Sequence, residues 1–256
     1  GDKHKIINYM MSINASEEHL PLNRYLYNGS KILVAGNELQ QEFLDVGIKK
    51  EKIIITGNPK FDGIIQRKLK NKSSTNKKRI VIANTRWHID DDQWMSELIK
   101  YCSENNMEVV IKVHPVYKVW NTEMHEEKSK QIKKLCKGLD FQILLKENIV
   151  DILMSADILI TEFSWTGFQS CLCNVPVIVV DFDKKPYAKY ALLYHKEGAG
   201  LYATDFSQLT SAIEEILTNE NTKRKLEIGM KKLINHFNYK NDGHAADTIV
   251  KLMTKE

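Results

Sequence analysis

The sequence lacks any long apolar run: stretches such as Ile158–Ile160 and Val175–Val180 fall far short of the ~20 residues that a membrane-spanning helix needs. An integral helical membrane protein is thereby excluded, although contact with a membrane surface is not. Cysteine is scarce as well. Four residues, Cys102, Cys136, Cys171 and Cys173, without a CxxC pair, imply reduced thiols in a cytosolic protein rather than a disulfide framework. Cys171 and Cys173 lie two apart on a predicted helix, so they face different directions and read as packing, not as a metal pair. No GxxxxGK[ST] loop and no GxGxxG occurs, which disfavours kinase-like and dinucleotide-dependent chemistry. Charge of neither sign dominates: 37 Lys and Arg face 33 Asp and Glu, a formal net charge of +4. That balance suits an anionic small molecule or an anionic membrane as well as nucleic acid, and nothing else in the chain favours nucleic acid. The chain opens on Gly1 rather than Met and soon enters Ile6-Ile7-Asn8-Tyr9-Met10-Met11, so a piece of a longer protein is expected.

What is present is a regular alternation. β-like runs at Lys5–Met10, Lys31–Ala35 and Lys52–Thr56, with a helical pattern from Glu38 to Val46, read as the closing part of an α/β domain over residues 1–65. Residues 66–78 are basic and without acid, and are predicted to be a linker. From 79 to 256 strand-like runs at Arg79–Ala83, Glu108–Val113, Phe141–Leu145, Asp157–Ile160 and Val177–Val180 alternate with helices near 92–104, 122–137, 149–155 and 166–173. Helices follow from Asp205 to the end. Near-continuous Val, Ile and Leu in the strands predict a parallel sheet covered on both faces, a doubly wound Rossmann-like nucleotide-binding domain.

Ligands in such sheets bind beyond the carboxyl ends of the strands, so the residues after each strand carry the functional reading. These are Asn84-Thr85-Arg86-Trp87-His88, His114-Pro115, Thr161-Glu162-Phe163-Ser164-Trp165-Thr166-Gly167 and Asp181-Phe182-Asp183. Hydroxyls at Thr161, Ser164 and Thr166, with Trp165 among them, precede a helix whose start offers N–H groups and partial positive charge to a phosphate. Ser164 serving as a helix cap is the alternative, worth ~1 kcal/mol. His114, held by Pro115 in extended geometry, is placed to bond a diphosphate or to give a proton to a leaving phosphate. Thr85 and Arg86 are further phosphate candidates, Arg86 as a fork. His88 beside Asp90-Asp91-Asp92 reads as acid at a helix start rather than a metal site, so no metal and no cofactor are expected. The basic stretch Lys223–Lys232 reads as a solvated face.

Gly57-Asn58-Pro59-Lys60-Phe61-Asp62, Thr85-Arg86-Trp87, Lys112-Val113-His114-Pro115, the stretch from Ser155 to Ser164 and the closing Asp242-Gly243-His244-Ala245 together resemble the CDP-glycerol glycerophosphotransferase family of teichoic-acid polymerases. The resemblance implies a GT-B-like architecture, with Asn58 and Pro59 at an inter-domain cleft. It also implies that His114, Thr161 and Ser164 contact the donor diphosphate. An acceptor hydroxyl on a polymer or lipid-linked chain then attacks the β-phosphorus, and CMP leaves with help from His114. A cytoplasmic enzyme with peripheral contact at the inner membrane face is implied as well. Glu162, Phe163 and Trp165 stand where that family usually has Asp, Tyr and Ser, and its His-Gly-Thr acceptor motif is absent. The chain is therefore expected to bind donor and to turn over poorly by itself. Glu197-Gly198-Ala199-Gly200 fits a second reading, a nucleotide-sugar glycosyltransferase using Glu197 and Gly198 at the ribose and sugar. A non-catalytic nucleotide-binding half that needs a partner chain is a third.

Overall fold

The structure is a computed structural model that describes residues 8–9, 31–68, 77–83, 93–113, 122–162, 164–182 and 194–254. Two compact units are present, Gly1–Leu69 with Leu233–Glu256, and Lys70–Lys232. The first holds a parallel sheet of β1 (Asn8–Tyr9), β2 (Ile32–Val34) and β3 (Ile53–Ile55) in that order. Its core is Val34, Leu39, Phe43, Ile48 and Ile53, to which the helix Asn37–Asp45 contributes Leu39 and Phe43, one turn apart on a single face.

Residues 233–256, grouped with the second domain on sequence grounds, pack in the first unit. The cause is a set of polar contacts with partners 180 to 204 positions away. Asp62 offers both carboxylate oxygens to the start of the helix Ala245–Thr254, accepting from the backbone N–H of Ala245 at 3.1 Å and of Ala246 at 2.8 Å. An acidic side chain there satisfies orphan donors and meets the positive end of the helix dipole. Asn58 donates its N–H to the side-chain oxygen of Asn238 at 2.7 Å, and Tyr239 donates its N–H to the Ala35 carbonyl at 2.8 Å.

The second unit holds six parallel strands: β4 (Lys78–Ile82), β5 (Met107–Lys112), β6 (Gln142–Leu144), β7 (Ile158–Thr161), β8 (Val177–Val180) and β9 (Gly200–Ala203). Their order is β6-β5-β4-β7-β8-β9. The chain steps outward from β4 to β6, returns to lay β7 against the other side of β4, and steps outward again. Consecutive residues Ile80, Val81 and Ile82 are all fully buried, as are Ile158, Leu159 and Ile160. Side chains of neighbouring strand residues point to opposite faces, so both faces of the sheet are covered. On one face, Trp94, Met95, Leu98, Ile99 and Cys102 of the helix Gln93–Glu104 join Leu209, Ala212, Ile213 and Ile216 of the helix Phe206–Thr218 against the strands. The parallel α/β architecture read from the sequence is the one observed, including a sixth strand, β9, that the sequence pattern did not single out. All four cysteines are buried free thiols. Among the described residues no helix is long and apolar enough to cross a membrane.

Candidate functional site

The strand order reverses between β4 and β7, and in doubly wound sheets the crevice beyond the carboxyl ends at that reversal is where ligands sit. Register fixes what lies there. Ile82 pairs with Ile160, so the residues that follow, Ala83 and Thr161, stand side by side at the rim. Thr161 is buried, and its hydroxyl donates to the Ala83 carbonyl at 2.6 Å, tying the two strand ends together. A hydroxyl has a single hydrogen, so in this arrangement Thr161 braces the crevice floor and leaves only lone pairs for anything else.

Residues 164–167 form a tight turn into the helix Thr166–Leu172. The Ser164 carbonyl accepts the N–H of Gly167 at 3.0 Å, and the Ser164 hydroxyl accepts the N–H of Thr166 at 3.2 Å while donating to the Thr166 hydroxyl at 3.0 Å. Trp165 is the N-cap of this helix and has no side-chain cap bond, so Ser164 is not the cap, although its hydroxyl meets the N–H of the first helical residue. The Ser164 O–H hydrogen and that of Thr166 remain able to rotate toward a ligand oxygen. Trp165 stacks on Phe168, ring centroids 4.9 Å apart. Tyr194, which no sequence motif singles out, reaches this turn from a later segment: its hydroxyl donates to the Ser164 carbonyl at 2.8 Å. Its ring lies where a side chain at residue 167 would be, since a Cβ there would come within 2.5 Å of Cζ. Only glycine at 167 permits that approach. Burial pushes the Tyr194 phenol well above the usual tyrosine range, so it stays a donor.

Two more strand ends contribute. Lys112, the last residue of β5, is buried and donates to the carbonyls of Val113 at 3.2 Å and Leu145 at 2.8 Å. Burial holds its ammonium below the usual lysine range, while the nearby Glu147 acts in the opposite direction. Asp181, just after β8, is buried and accepts from the Tyr202 hydroxyl at 2.6 Å. The Tyr202 phenol is pushed up to about 12, first by desolvation and then by that carboxylate. Phe182 meets Trp94 edge to face, 5.6 Å between centroids.

The remaining sequence candidates distribute as follows. Thr161, Ser164, Trp165 and Thr166 stand together at the rim. Thr85, Arg86 and His114 lie outside the described residues; the last described residues before them, Ala83 and Val113, follow the ends of β4 and β5 at the same rim. Glu197 and Gly198 are committed to the helix Glu220–Phe237: Glu197 pairs with Lys232 at 2.8 Å, and the Gly198 carbonyl presses on Gly229. Lys223–Lys232 is thus more than a solvated face, since it contains that seat. Asn58 and Pro59 open a short 3₁₀ turn, Pro59–Phe61, with the Asn58 side chain accepting the N–H of Lys60 at 3.0 Å. Within the first unit their role is structural. Cys171 is buried, its thiol pushed up to about 12 by desolvation, which suits packing and not ligation. A cavity of ≈ 300 Å³ beside Lys78, Asp157 and Pro176 lies at the amino ends of β4, β7 and β8, the opposite edge from the rim.

Residues 13–255 match the family model described as CDP-glycerol:poly(glycerophosphate) glycerophosphotransferase. No curated protein matches the chain significantly in sequence. Among solved structures it is similar to the wall teichoic acid polymerase TagF, with 15% identity and a TM-score of 0.64 over 88% of this chain and 57% of that one. A variant of the same polymerase soaked with CDPG gives 13% identity and 0.64 over 95% and 62%. The UDP-GlcNAc 2-epimerase of Neisseria meningitidis, bound to UDP-GlcNAc, gives 16% identity and 0.60 over 89% and 62%. At such identities the likeness is one of fold, a parallel sheet with flanking helices. The chain spans less than two thirds of the length of each.

Proposed function

The chain belongs to the CDP-glycerol:poly(glycerophosphate) glycerophosphotransferase family, and from that membership we propose that it binds CDP-glycerol at the carboxyl rim of its six-stranded sheet and serves transfer of glycerol phosphate to a polymer hydroxyl. The observation that carries the reading is the reversal of strand order between β4 and β7, with the Ser164–Gly167 turn and its two hydroxyls at the rim of that crevice. The unit Lys70–Lys232 is then the donor side and the first unit the acceptor side. Ser164 and Thr166 hydrogen-bond the paired phosphates, Thr161 braces the floor, Trp165 walls it, and Thr85 and Arg86 add donors from the end of β4.

In the reaction proposed, an acceptor hydroxyl oxygen bonds to the β-phosphorus as the bond from that phosphorus to the bridging oxygen breaks. His114 gives a proton to the departing CMP, and the acceptor's proton passes to a base supplied outside the residues described. The acceptor proposed is a wall or capsule polymer, lipid-linked and met at the inner membrane face. The basic run at 66–78 and the net charge of +4 support such peripheral contact. Calorimetric titration with CDP-glycerol, CDP, UDP-GlcNAc and UDP tests the donor. Cytidine ligands are expected to bind more tightly; a uridine preference turns the assignment to a nucleotide-sugar glycosyltransferase, the reading that Glu197-Gly198-Ala199-Gly200 favours. Absence of any binding removes the nucleotide site altogether.

A further inference from the structure

The segment 194–200 touches the proposed donor site at one end and a helix at the other. At its start, Tyr194 is 4% exposed, and its hydroxyl donates to the Ser164 carbonyl at 2.8 Å. Its ring fills the space over Gly167, where an added Cβ would lie 2.5 Å from Cζ and 2.8 Å from the hydroxyl oxygen. Within the segment, Ala199 donates its N–H to the Tyr194 carbonyl at 2.7 Å, and Gly198 to that of His195 at 3.0 Å, so the piece is a closed turn. Farther along, the Gly198 carbonyl lies on the backbone of the helix Glu220–Phe237 at Gly229; a Cβ on Gly229 would stand 2.0 Å from that oxygen and 2.7 Å from the Ala199 nitrogen. Glu197 pairs with Lys232 three residues on, on the same helix face. Two glycines, 167 and 229, are therefore required by the same segment, one beneath each end.

We infer that Tyr194 is a positioning residue that sets the Ser164–Gly167 turn for the donor's diphosphate, with Gly229 as the seat that places Tyr194. The inference rests on the donor reading given under Proposed function and adds residues that do not touch the ligand. Tyr194 constrains the carbonyl of Ser164 and so the direction of that residue's hydroxyl. Serine and threonine rotors adapt readily, whereas the main chain that carries them must be held if both are to meet two phosphates at once.

The test compares wild type, Tyr194→Phe and Gly229→Ala for binding of a nucleoside diphosphate and of the corresponding monophosphate. CDP-glycerol and CMP are the first pair, UDP-GlcNAc and UMP the second, and each variant is judged on whichever pair the wild type takes up. Tyr194→Phe keeps the ring, and the Gly167 N–H still satisfies the Ser164 carbonyl, so the chain stays folded. Loss of one organising hydrogen bond is expected to weaken the diphosphate ligand by about fivefold or more, and the monophosphate by less than about twofold. A purely structural role would weaken both ligands alike, and that result overturns the inference, as does unchanged affinity for both. Gly229→Ala is expected to give the same split. If that variant does not fold, the Tyr194→Phe result stands alone and decides. Uptake of the uridine pair in place of the cytidine pair overturns the donor assignment, and the split between diphosphate and monophosphate within that pair then decides the role of Tyr194. Wild type that takes neither pair overturns both.

Discussion

Replacing Ser164 by alanine and Thr161 by valine, separately, asks which of two neighbouring hydroxyls faces the ligand. The Ser164 hydroxyl receives the Thr166 N–H at 3.2 Å, and its own hydrogen is free to leave Thr166 for a phosphate oxygen. Its removal costs the free protein the hydrogen bond from the Thr166 N–H, ~1 kcal/mol. It costs the complex a hydrogen bond to a charged acceptor, ~1.5–3 kcal/mol, which is about 10- to 100-fold in Kd. Thr161→Val behaves in the opposite sense. Valine keeps the shape, but the Ala83 carbonyl loses a donor held at 2.6 Å in a buried position. Stability should fall by ~1–3 kcal/mol while affinity stays within about twofold. Urea unfolding gives the first quantity and calorimetry with CDP-glycerol the second. If Thr161→Val weakens binding more than Ser164→Ala does, the crevice is oriented wrongly and the reasoning fails.

Three further outcomes are expected. Asp62→Ala should expose the amides of residues 245–254 to hydrogen exchange about 30-fold faster, because two charge-assisted bonds at 3.1 and 2.8 Å are worth ~2 kcal/mol; protection equal to wild type would refute the cap. His114→Ala should weaken CDP-glycerol by more than about tenfold, equivalent to ~1.4 kcal/mol, in the same titration, and unaltered affinity would remove residue 114 from the site. The Tyr202 phenol is raised from 10.0 to about 12, so its contribution to stability is complete below pH 10 and disappears as pH climbs through about 12. Tyr202→Phe should therefore lose less stability than wild type between pH 8 and pH 11 in urea titrations, and an identical slope would contradict the Asp181 contact.

The second unit was legible because its strands are buried on both faces and so spell themselves as runs such as Ile80-Val81-Ile82 and Ile158-Leu159-Ile160. The hydroxyl cluster at Thr161, Ser164 and Thr166 was legible for a related reason, since parallel sheets gather strand ends at one rim. Where each hydroxyl points was not. Thr161 turns sideways to Ala83 only because Ile82 pairs with Ile160, a register that no local pattern encodes. Tyr194 and Gly229 escaped notice because their significance lies in close approaches, to Gly167 and Gly198, between segments about 30 residues apart. Asp62 and Ala245 were each recognised within a motif, yet the contact joining the motifs spans 183 positions. The pairing of Glu197 with Lys232 likewise joins distant segments and has no local signal in the sequence.

The return of residues 233–256 to the unit begun by residues 1–69 sets a timetable for synthesis. A ribosome delivers roughly 5–20 residues per second, so Asp62 waits on the order of 10–40 s before the amides it caps emerge. By the end of that wait every residue of Lys70–Lys232 has left the tunnel and is able to fold. A chaperone or protease that samples nascent chains would therefore meet a finished six-stranded sheet beside an early segment still missing its closing helix.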